Sequence, residues 1–480
     1  MKKIKIIQLF AAAALCSGQA GAQNIDFDNL PSIMDITAQA SQIAAPAPQA
    51  VRVAQEPAPA QTSAPKEWTI MVFMNGKNNL ADYILKDMNE MEQVGSSDKI
   101  NIVTEAGKMA YTAPSNPYND GWGDFPDINP WNNYYMHPGW PPAPSFNTPS
   151  TETAETPSVD SWVGVRRYYV QKDNDTSKLG SLLVEELPKT DMGDWNELVE
   201  FTRWAKAKYP AKKYMLIVWN HGDGWITKSL KISLPKGISY DDETGNGITT
   251  VQLGQALAKI GGVDIYASDA CLMQMAEVVY ELKDYAPVIV GSEETEPGDG
   301  WDYAAFFSRL TSSLTPTALA KAAVEGYAAS YSAKGQAATL SAIRTRNADN
   351  LRGLLDQWVT LAMAQDKAKL NEALRESTGF KGADSRDLLH FLSITGVKLP
   401  ELQAKGAEIA SLVSSMMIKN APVGSTYKNA GGLGIYLPYY SFDDNYSKLA
   451  MSKTGKWDSF IKWMTDKEPA APTAPAAPTR

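Results

Sequence analysis

Two residues of this sequence, His221 and Cys271, have the types and surroundings that nucleophilic catalysis requires. His221 follows an apolar run at 214–219 and lies in the turn Asn-His-Gly-Asp-Gly, and Cys271 follows a shorter, mostly apolar run at 263–267. A cysteine attacks a carbonyl carbon as the thiolate, and a nearby imidazole accepts its proton and lowers the thiol pKa. The pair predicts a cysteine nucleophile with a histidine base, provided that the fold brings the two side chains together.

The elements around the pair predict a parallel sheet. Six consecutive apolar residues at 214–219, ended by Asn, His and Gly, indicate a strand buried on both faces. A strand at 68–74, a helical pattern and a strand at 99–104 indicate a βαβ unit. Because the carboxyl ends of neighbouring parallel strands line one crevice, we expect His221 and Cys271 to meet there.

Two further features of the predicted site concern the charges that develop during attack on a carbonyl. The backbone N–H groups of Gly222 and of Cys271 are candidate donors to the oxyanion, and a glycine at 222 permits a close approach of the backbone. A helical pattern opens at Leu272. It predicts a positive helix end beside the sulfur.

The first 22 residues predict export. Three lysines within the first five residues precede an apolar run at 6–15, and Ala-Gly-Ala at 20–22 provides a cleavage site. The mature protein is therefore expected in the periplasm or outside the cell. A lipoprotein signal with an acylated Cys16 is the alternative, although Leu15 stands where such signals usually carry a small residue.

Composition limits the partners of the mature chain. The full sequence has a formal net charge of −9 and no basic patch, which argues against nucleic acid. No second apolar run reaches eighteen residues, so stable membrane insertion is not expected. Loss of the signal leaves Cys271 as a lone thiol, which rules out an internal disulfide. We expect a monomer that acts on protein or peptide substrates.

Composition also divides the chain into five segments. These are a signal peptide (1–22), a Pro/Ala-rich linker or pro-segment (23–66), a catalytic core (67–310), a helical region that adds late strands to the core (311–467) and a disordered Pro/Ala tail (468–480). The core contains an insertion rich in aromatic residues and proline at 109–160. For this insertion, a wall of the substrate cleft and ordinary surface packing both stay open.

Six sequence blocks between Trp68 and Leu437 carry a family resemblance. They are WTIMVFMNGKNNL, MGDWNELVEFTRWAKAKYPAKKYMLIVWNHGDGW, SYDDETGN, DACLMQMAEVVYEL, EPGDGWDY and GLGIYLP. Together and in this order they resemble the clostripain family of cysteine peptidases in the caspase-like clan. The insertion after Lys108 and the proline-rich segments are departures from the family pattern.

The resemblance implies a fold and a reaction. The fold would be of the α/β class, a caspase-like three-layer α/β/α sandwich with a mostly parallel central sheet and an additional helical C-terminal region. His221 would be the general base or acid and Cys271 the nucleophile of an endopeptidase that cleaves after Arg or Lys. Asp269, two residues before the cysteine, matches a carboxylate of an acidic S1 pocket, and Asp299 resembles a second one.

The resemblance also implies maturation of a zymogen by self-cleavage between the histidine and the cysteine. Lys228, Lys231 and Lys236 lie in that stretch, and Lys236 is the predicted site. No cofactor or metal is required by this chemistry, but calcium, which some relatives need, stays open. The adjacent carboxylates of 241–243 lack the alternating spacing of a calcium loop and favour a solvated turn.

Two other functions remain as alternatives. A catalytically inactive caspase-like binding protein would share the fold, but the presence of both His221 and Cys271 argues against it. A cysteine amidase or transpeptidase of cell-wall peptides would keep the chemistry and change the product.

Overall fold

The computed structural model describes six stretches of the chain: 64–109, 162–187, 189–225, 237–310, 315–380 and 384–466. The predicted signal peptide, Cys16, the linker, nearly all of the insertion, Lys236 and the tail lie outside these residues. The predicted segment boundaries stay predictions. Within the described stretches, no helix combines the length and the apolar character that a membrane span needs.

A nine-stranded sheet organises the described residues. The strands in these stretches are β1 (Lys66–Gly76), β2 (Ile100–Lys108), β3 (Gly164–Tyr169), β4 (Leu182–Leu187), β5 (Ala211–Trp219), β6 (Gly237–Asp241), β7 (Asn246–Thr249), β8 (Ile265–Asp269), β9 (Val288–Gly291), β10 (Ser341–Arg344), β11 (Ser385–Asp387), β12 (Met417–Asn420) and β13 (Gly434–Tyr436). The order in the main sheet is β12-β10-β9-β8-β5-β1-β2-β3-β4. Its five central strands, β9 to β2, are parallel, and antiparallel pairs extend both edges.

Helices cover both faces of the sheet, which confirms the predicted three-layer α/β/α sandwich. The helices of the described residues are α1 (Tyr83–Glu92), α2 (Trp195–Lys208), α3 (Thr250–Lys259), α4 (Ala276–Leu282), α5 (Tyr303–Phe307), α6 (Pro316–Lys334), α7 (Ala348–Ala362), α8 (Lys367–Glu376), α9 (Leu388–Lys398), α10 (Pro400–Met416), α11 (Ala450–Thr454) and α12 (Trp457–Thr465). Side-chain caps define several of their starts. Asp194, for example, accepts the N–H of Asn196 at the start of α2.

Alternate residues of β1 face the two helical layers. Ile70 and Val72 pack in the cluster that contains residues of α1, α5 and α6, whereas Met71 and Phe73 pack with α2, α3 and α4. All four side chains are fully buried. A central parallel strand buried on both faces is apolar at successive positions, which is why the run is continuous in the sequence.

The C-terminal half contributes strands to two sheets. The strand predicted within the helical region corresponds to β10, which pairs antiparallel with β9, and β12 pairs with β10. Another late strand of the region 311–467, β13, does not join the main sheet and pairs with β11 in a separate two-stranded sheet. The hairpin of β6 and β7 is short, and the sequence analysis did not predict it.

The helix predicted to open at Leu272 is wrong by four residues. Leu272 has a left-handed backbone (φ 63°), and α4 begins at Ala276. Between them the N–H of Gln274 donates to the carbonyl of Ser292 at 2.9 Å, and Met275 forms a parallel bridge with Gly434. These interactions hold 272–275 in a non-helical path, so the chain does not enter the helix beside the sulfur.

Candidate active site

The loop after β5 carries His221, and Asn220 anchors it. The side-chain N–H of Asn220 donates to the carbonyl of Asn75, and its Oδ1 accepts the N–H of Tyr240 at 2.7 Å. The backbone N–H of Asn220 donates to the carbonyl of Asp269 at 3.2 Å. His221 is thereby held at the carboxyl edge of the sheet, beside the end of β8.

Asn79 contacts the imidazole of His221. Nε2 of the ring lies 2.7 Å from Oδ1 of Asn79, in the loop that follows β1. Because an amide oxygen only accepts hydrogen bonds, the neutral ring carries its proton on Nε2 and leaves Nδ1 as the acceptor. Burial lowers the pKa of His221 to about 4. The imidazole is therefore neutral near pH 7.

Cys271 lies half-buried in the turn after β8. Its Sγ accepts the backbone N–H of Glu296 at 3.3 Å. Burial raises the pKa of the thiol to about 12, and the nearby carboxylate of Glu296 adds to the rise. The expected thiolate–imidazolium pair with a lowered thiol pKa is wrong for this state of the chain, because carboxylates surround the sulfur and the imidazole is uncharged. The resting groups are a thiol and a neutral histidine.

The strand register brings the two residues to the same level of the sheet. β5 and β8 are parallel neighbours, and Trp219 pairs with Asp269. His221 and Cys271 each lie two residues beyond this pair. Adjacent strands are about 4.8 Å apart. The predicted meeting of the histidine loop and the cysteine turn at one edge is therefore what the register produces.

Gly222 marks the close approach of the two loops. A Cβ on this residue would lie 2.5 Å from the carbonyl oxygen of Cys271 and 3.0 Å from Cβ of Ala270. The 2.5 Å separation is too short for two atoms that are not bonded, and the 3.0 Å separation is near the limit. Only glycine therefore fits here without movement of the backbone. The glycine predicted to permit close approach stands where the histidine loop touches the cysteine turn.

The amides of Gly222 and Cys271 are available to an incoming group. Gly222 bridges Ile238, but the bonds of this bridge run from Asp223 to Gly237 and from Ser239 to His221. In the hydrogen-bond pattern of the described residues, neither amide N–H donates to a protein acceptor. Both amides can therefore serve a developing oxyanion.

Asp269 is buried at the end of β8. Its carboxylate accepts the N–H of Trp301 at 3.2 Å and the phenol O–H of Tyr303 at 2.9 Å. A Cβ at Gly300 would lie 3.0 Å from its Oδ1. Burial raises the pKa of Asp269 to about 6. The loop 296–303 is thus wrapped around this carboxylate.

Asp299 belongs to the same loop, but its carboxylate is held at the surface. Its Oδ2 lies 2.7 Å from Nζ of Lys334, and Lys86 is 3.9 Å away. The hydrogen bond from Lys334 lowers the pKa of Asp299. A second S1 role for Asp299 stays a prediction, since the structure gives this carboxylate a lysine partner of its own.

In the acidic turn considered for calcium, backbone N–H groups and a lysine contact the carboxylate of Asp241. Asp241 accepts the N–H groups of Glu243, Thr244 and Met192, and its Oδ2 lies 3.5 Å from Nζ of Lys77. Across the described stretches no group of three or more His, Cys, Asp or Glu side chains is arranged to hold a metal ion. Asp241 is buried, so the predicted solvated turn is wrong for this residue and holds for Asp242 and Glu243, which are exposed; a calcium requirement stays a prediction.

Sequence reasoning missed two residues of the site, Asn79 and Glu296. Both lie in blocks that carry the family resemblance, NGKNNL and EPGDGWDY. Asn79 is 142 residues from His221, and Glu296 is 25 residues from Cys271. The blocks were informative, but which of their polar residues touch the pair depends on long-range packing.

A histidine and a cysteine placed level with one another on a parallel sheet, with helices on both faces, define a caspase-like cysteine peptidase. The family model described as "Clostripain family" matches residues 72–463. The chain therefore belongs to the clostripain family.

Individual relatives agree with this assignment. Clostripain from Hathewaya histolytica is 27% identical over 265 residues, which make up 50% of this chain and 49% of that protein. The chain thus spans about half the length of this curated relative.

Three solved structures share the fold at low sequence identity. An inactive zymogen C11 protease from Parabacteroides distasonis is 15% identical, with a TM-score of 0.55 over 82% of this chain and 98% of that one. A secreted C11 cysteine protease from Bacteroides thetaiotaomicron in complex with an irreversible peptide inhibitor is 19% identical, with a TM-score of 0.53 over 83% and 99%. A further structure of a secreted C11 cysteine protease of this species, called iotapain, is 14% identical, with a TM-score of 0.59 over 82% and 99%.

Proposed function

We propose that this protein is an exported cysteine endopeptidase that cleaves peptide bonds after Arg or Lys. The observation that carries the proposal is the register of β5 and β8, which sets His221 and Cys271 level with one another, two residues beyond a paired position. Family membership supports the peptidase chemistry. The signal-like N-terminus supports export, as does the secretion of the similar C11 cysteine protease from Bacteroides thetaiotaomicron.

The first half of the reaction forms a thioester. Sγ of Cys271 attacks the scissile carbonyl carbon as its proton passes to Nδ1 of His221, and the carbonyl oxygen becomes an oxyanion that Gly222 and Cys271 N–H groups stabilise. Asn79 accepts from Nε2–H throughout and so stabilises the imidazolium. The tetrahedral intermediate then expels the amine, which takes the proton from Nδ1.

The second half hydrolyses the thioester. A water molecule attacks the acyl carbon while Nδ1 of His221 accepts one of its protons. The intermediate collapses to the carboxylic acid product and the thiolate, and the imidazolium returns the proton to Sγ of Cys271. Because the resting thiol pKa is about 12, proton transfer to the histidine must accompany the attack.

The preference for a basic residue rests on Asp269. This carboxylate is buried beside the nucleophile's turn and is held by donors from the loop 296–303. A guanidinium or ammonium group would pair with it through charge-assisted hydrogen bonds. Asp299 joins this pocket only if its contact with Lys334 is given up.

Maturation proceeds by self-cleavage between His221 and Cys271, with Lys236 as the proposed site. A cut after Lys236 would leave Gly237, the first residue of β6, as a new N-terminus. N-terminal sequencing of the fragments from purified wild type and Cys271→Ala protein tests this step. We expect a fragment that begins at Gly237 in the wild type and an intact chain in the variant.

Turnover of short peptides tests the function. Residues 23–480 are produced as wild type, Cys271→Ala and His221→Ala, and assayed with fluorogenic peptides that carry Arg, Lys, Asp or Ala before the scissile bond, with and without calcium. We expect cleavage after Arg and Lys by the wild type alone. Inactivity on all four peptides would favour a binding protein, and transfer products or cleavage only after non-basic residues would favour an amidase or transpeptidase.

A further inference from the structure

Gly237, the residue that follows the proposed cleavage site, is packed against the loop of His221. It is buried at the start of β6, and a Cβ on it would lie 2.1 Å from the carbonyl oxygen of Ile248. The backbone N–H of Asp223 donates to the carbonyl of Gly237 at 2.9 Å, and that of Ser239 donates to the carbonyl of His221 at 3.3 Å. The first residues of β6 therefore support the histidine loop.

One side chain links the backbone nitrogen of Gly237 to a carboxylate of this loop. The N–H of Gly237 donates to the phenol oxygen of Tyr240 at 2.9 Å, and the phenol O–H donates to Oδ2 of Asp223 at 3.2 Å. The hydroxyl of Tyr240 thus lies within hydrogen-bond distance of both groups. Because Asp223 follows His221 by two residues, two successive hydrogen bonds connect the nitrogen of Gly237 to the catalytic loop.

The position of Tyr240 does not depend on the chain before Gly237. Its side chain is buried, and its backbone N–H donates to Oδ1 of Asn220 at 2.7 Å. Its carbonyl accepts side-chain N–H groups of Asn75 at 3.0 Å and of Asn78 at 2.8 Å. A cut before Gly237 would leave all of these contacts in place.

Cleavage changes the charge on the nitrogen of Gly237. Hydrolysis of the bond between Lys236 and Gly237 consumes one water molecule and leaves a carboxylate on Lys236 and a protonated α-amino group on Gly237. A buried ammonium group is costly unless a carboxylate pairs with it. The hydroxyl of Tyr240 already connects this nitrogen to the carboxylate of Asp223, so the new charge needs no rearrangement to reach a partner.

We propose that the α-ammonium group of Gly237 pairs with the carboxylate of Asp223 across the hydroxyl of Tyr240 once the chain has been cut, and that Asp223 is a positioning residue that transmits this contact to His221. The inference rests on the proposed self-cleavage after Lys236. The neutral donor at Gly237 becomes a charged one, and charge-assisted hydrogen bonds are the stronger kind. The cut chain thereby gains a contact that the uncut chain lacks.

The same contact alters the charge beside the nucleophile. Burial and the carboxylate of Glu296 raise the pKa of the Cys271 thiol, and the carboxylate of Asp223 adds to the rise. An ammonium group paired with Asp223 offsets that negative charge and so favours the thiolate. Titratable groups of the described residues that face Asp223 are Tyr240 and the thiol of Cys271, and His221 lies on the same loop.

The first measurement uses the wild-type enzyme and titrates the new amine. Once sequencing has identified a chain that begins at Gly237, the native cut enzyme is acetylated with trace acetic anhydride over a range of pH, and mass spectrometry quantifies the modified N-terminal peptide. An ordinary α-amino group has a pKa of about 7.7–8.0. Because a paired carboxylate raises the pKa of an amine, we expect the amine of Gly237 to react only above about pH 9. The same chain in guanidinium chloride is the reference and should titrate near pH 8.

The second measurement asks whether the contact acts through His221. Asp223→Asn keeps the size of the side chain and removes its charge, and Asp242→Asn makes the same change at an exposed position of the same hairpin. Tagged wild-type enzyme cuts each variant and is then removed by its tag, so that processing does not depend on the activity of the variant. Thermal unfolding verifies that both variants are folded.

Turnover of an Arg peptide by the cut enzymes gives the result. We expect Asp223→Asn to lower kcat by about 10-fold with KM within about 2-fold, and Asp242→Asn to change either by less than about 2-fold. The ammonium–carboxylate pair is present below the raised pKa of the amine and is lost as the pH rises through it. In wild type kcat should therefore fall above about pH 9, and Asp223→Asn should lack this basic limb.

The outcomes separate the inference from the proposed function. An amine of Gly237 that titrates near pH 8 in the native enzyme, or an unchanged kcat in Asp223→Asn, would overturn the inference and leave the endopeptidase intact. A mature chain that begins elsewhere would overturn the cleavage site and the inference, although cleavage after Arg or Lys would still stand. A protein that cuts neither itself nor Arg or Lys peptides would overturn the proposed function as well.

Discussion

The contact between Asn79 and His221 leads to a prediction that separates catalysis from folding. The Nε2–Oδ1 distance of 2.7 Å is that of a good hydrogen bond, and Asn79 itself is exposed. Asn79→Ala therefore removes the group that accepts the Nε2–H of His221, and it places no additional side chain in the interior of the protein. The neutral ring loses one neutral hydrogen bond, worth about 1 kcal/mol, whereas the imidazolium of the reaction loses a charge-assisted one, worth about 1.5–3 kcal/mol.

The difference between the two states sets the size of the effect. The transition state loses about 0.5–2 kcal/mol more than the ground state, which lowers kcat by roughly 2- to 30-fold. KM should stay within a factor of about 2, because Asn79 does not touch the proposed substrate pocket. The midpoint of thermal unfolding should move by no more than a few degrees, since the altered site is at the surface.

The assay is steady-state cleavage of an Arg peptide together with thermal unfolding, on wild type, Asn79→Ala and Asn79→Asp. Asn79→Asp restores an acceptor and adds a negative charge beside the ring. It should recover most of the activity and raise the pKa of His221, visible as a shift of the acid limb of the kcat profile to higher pH. Unchanged kcat in Asn79→Ala, or a loss that Asn79→Asp does not recover, would refute the positioning role.

Three further predictions follow from distances and pKa shifts. Gly222→Ala should lower kcat by at least about 100-fold and destabilise the protein by about 1–3 kcal/mol, because the new Cβ would lie 2.5 Å from the carbonyl oxygen of Cys271. Steady-state kinetics and denaturant unfolding measure the two effects. A near-normal kcat would show that the two loops can move apart. Alkylation of Cys271 by iodoacetamide in the uncleaved chain should accelerate from pH 7 to 10 without a plateau, as the thiol pKa is raised to about 12; a plateau near neutral pH would reveal a thiolate pair. Burial raises the pKa of Glu277 to about 7, so the stability that its protonated form provides is present below about pH 4.5 and is lost as the pH rises to about 7. Glu277→Gln should flatten the pH dependence of thermal unfolding in that window, by roughly 3 kcal/mol at its upper end, and an unaltered slope would count against this.

The sequence predicted the fold through its apolar runs. The continuous runs that became β1, β2, β5 and β8 can be buried only in the middle of a sheet with two covered faces, so the parallel centre follows from composition. The position of His221 and Cys271 at the same edge of the sheet follows from the same runs, since each residue comes directly after the end of a strand. Residues close together in the sequence determine these features, so sequence patterns can predict them.

The parts that the sequence did not predict depend on contacts between distant residues. The left-handed backbone of Leu272 arises where its N–H meets the carbonyl of Glu294, and no helical pattern reports that bond. The raised pKa of Cys271 results from burial and from the carboxylates around it, although its neighbours in sequence suggested a lowered one. The contacts of Asn79 with the ring and of Glu296 with Cys271 likewise appear only once the loops are folded together.

The order of strands in the main sheet has a consequence for a nicked enzyme. Every strand before His221, from β1 to β5, lies on one side of the β5–β8 pairing, and β8, β9, β10 and β12 lie on the other. A cut between His221 and Cys271 would therefore divide the sheet into two contiguous halves joined by one ladder and by the apolar layers above and below it. The two polypeptides would travel as a single particle under native conditions and as two bands in detergent. Produced as separate chains, they would be natural partners for fragment complementation, with activity reporting on reassembly because each half carries one member of the His221–Cys271 pair.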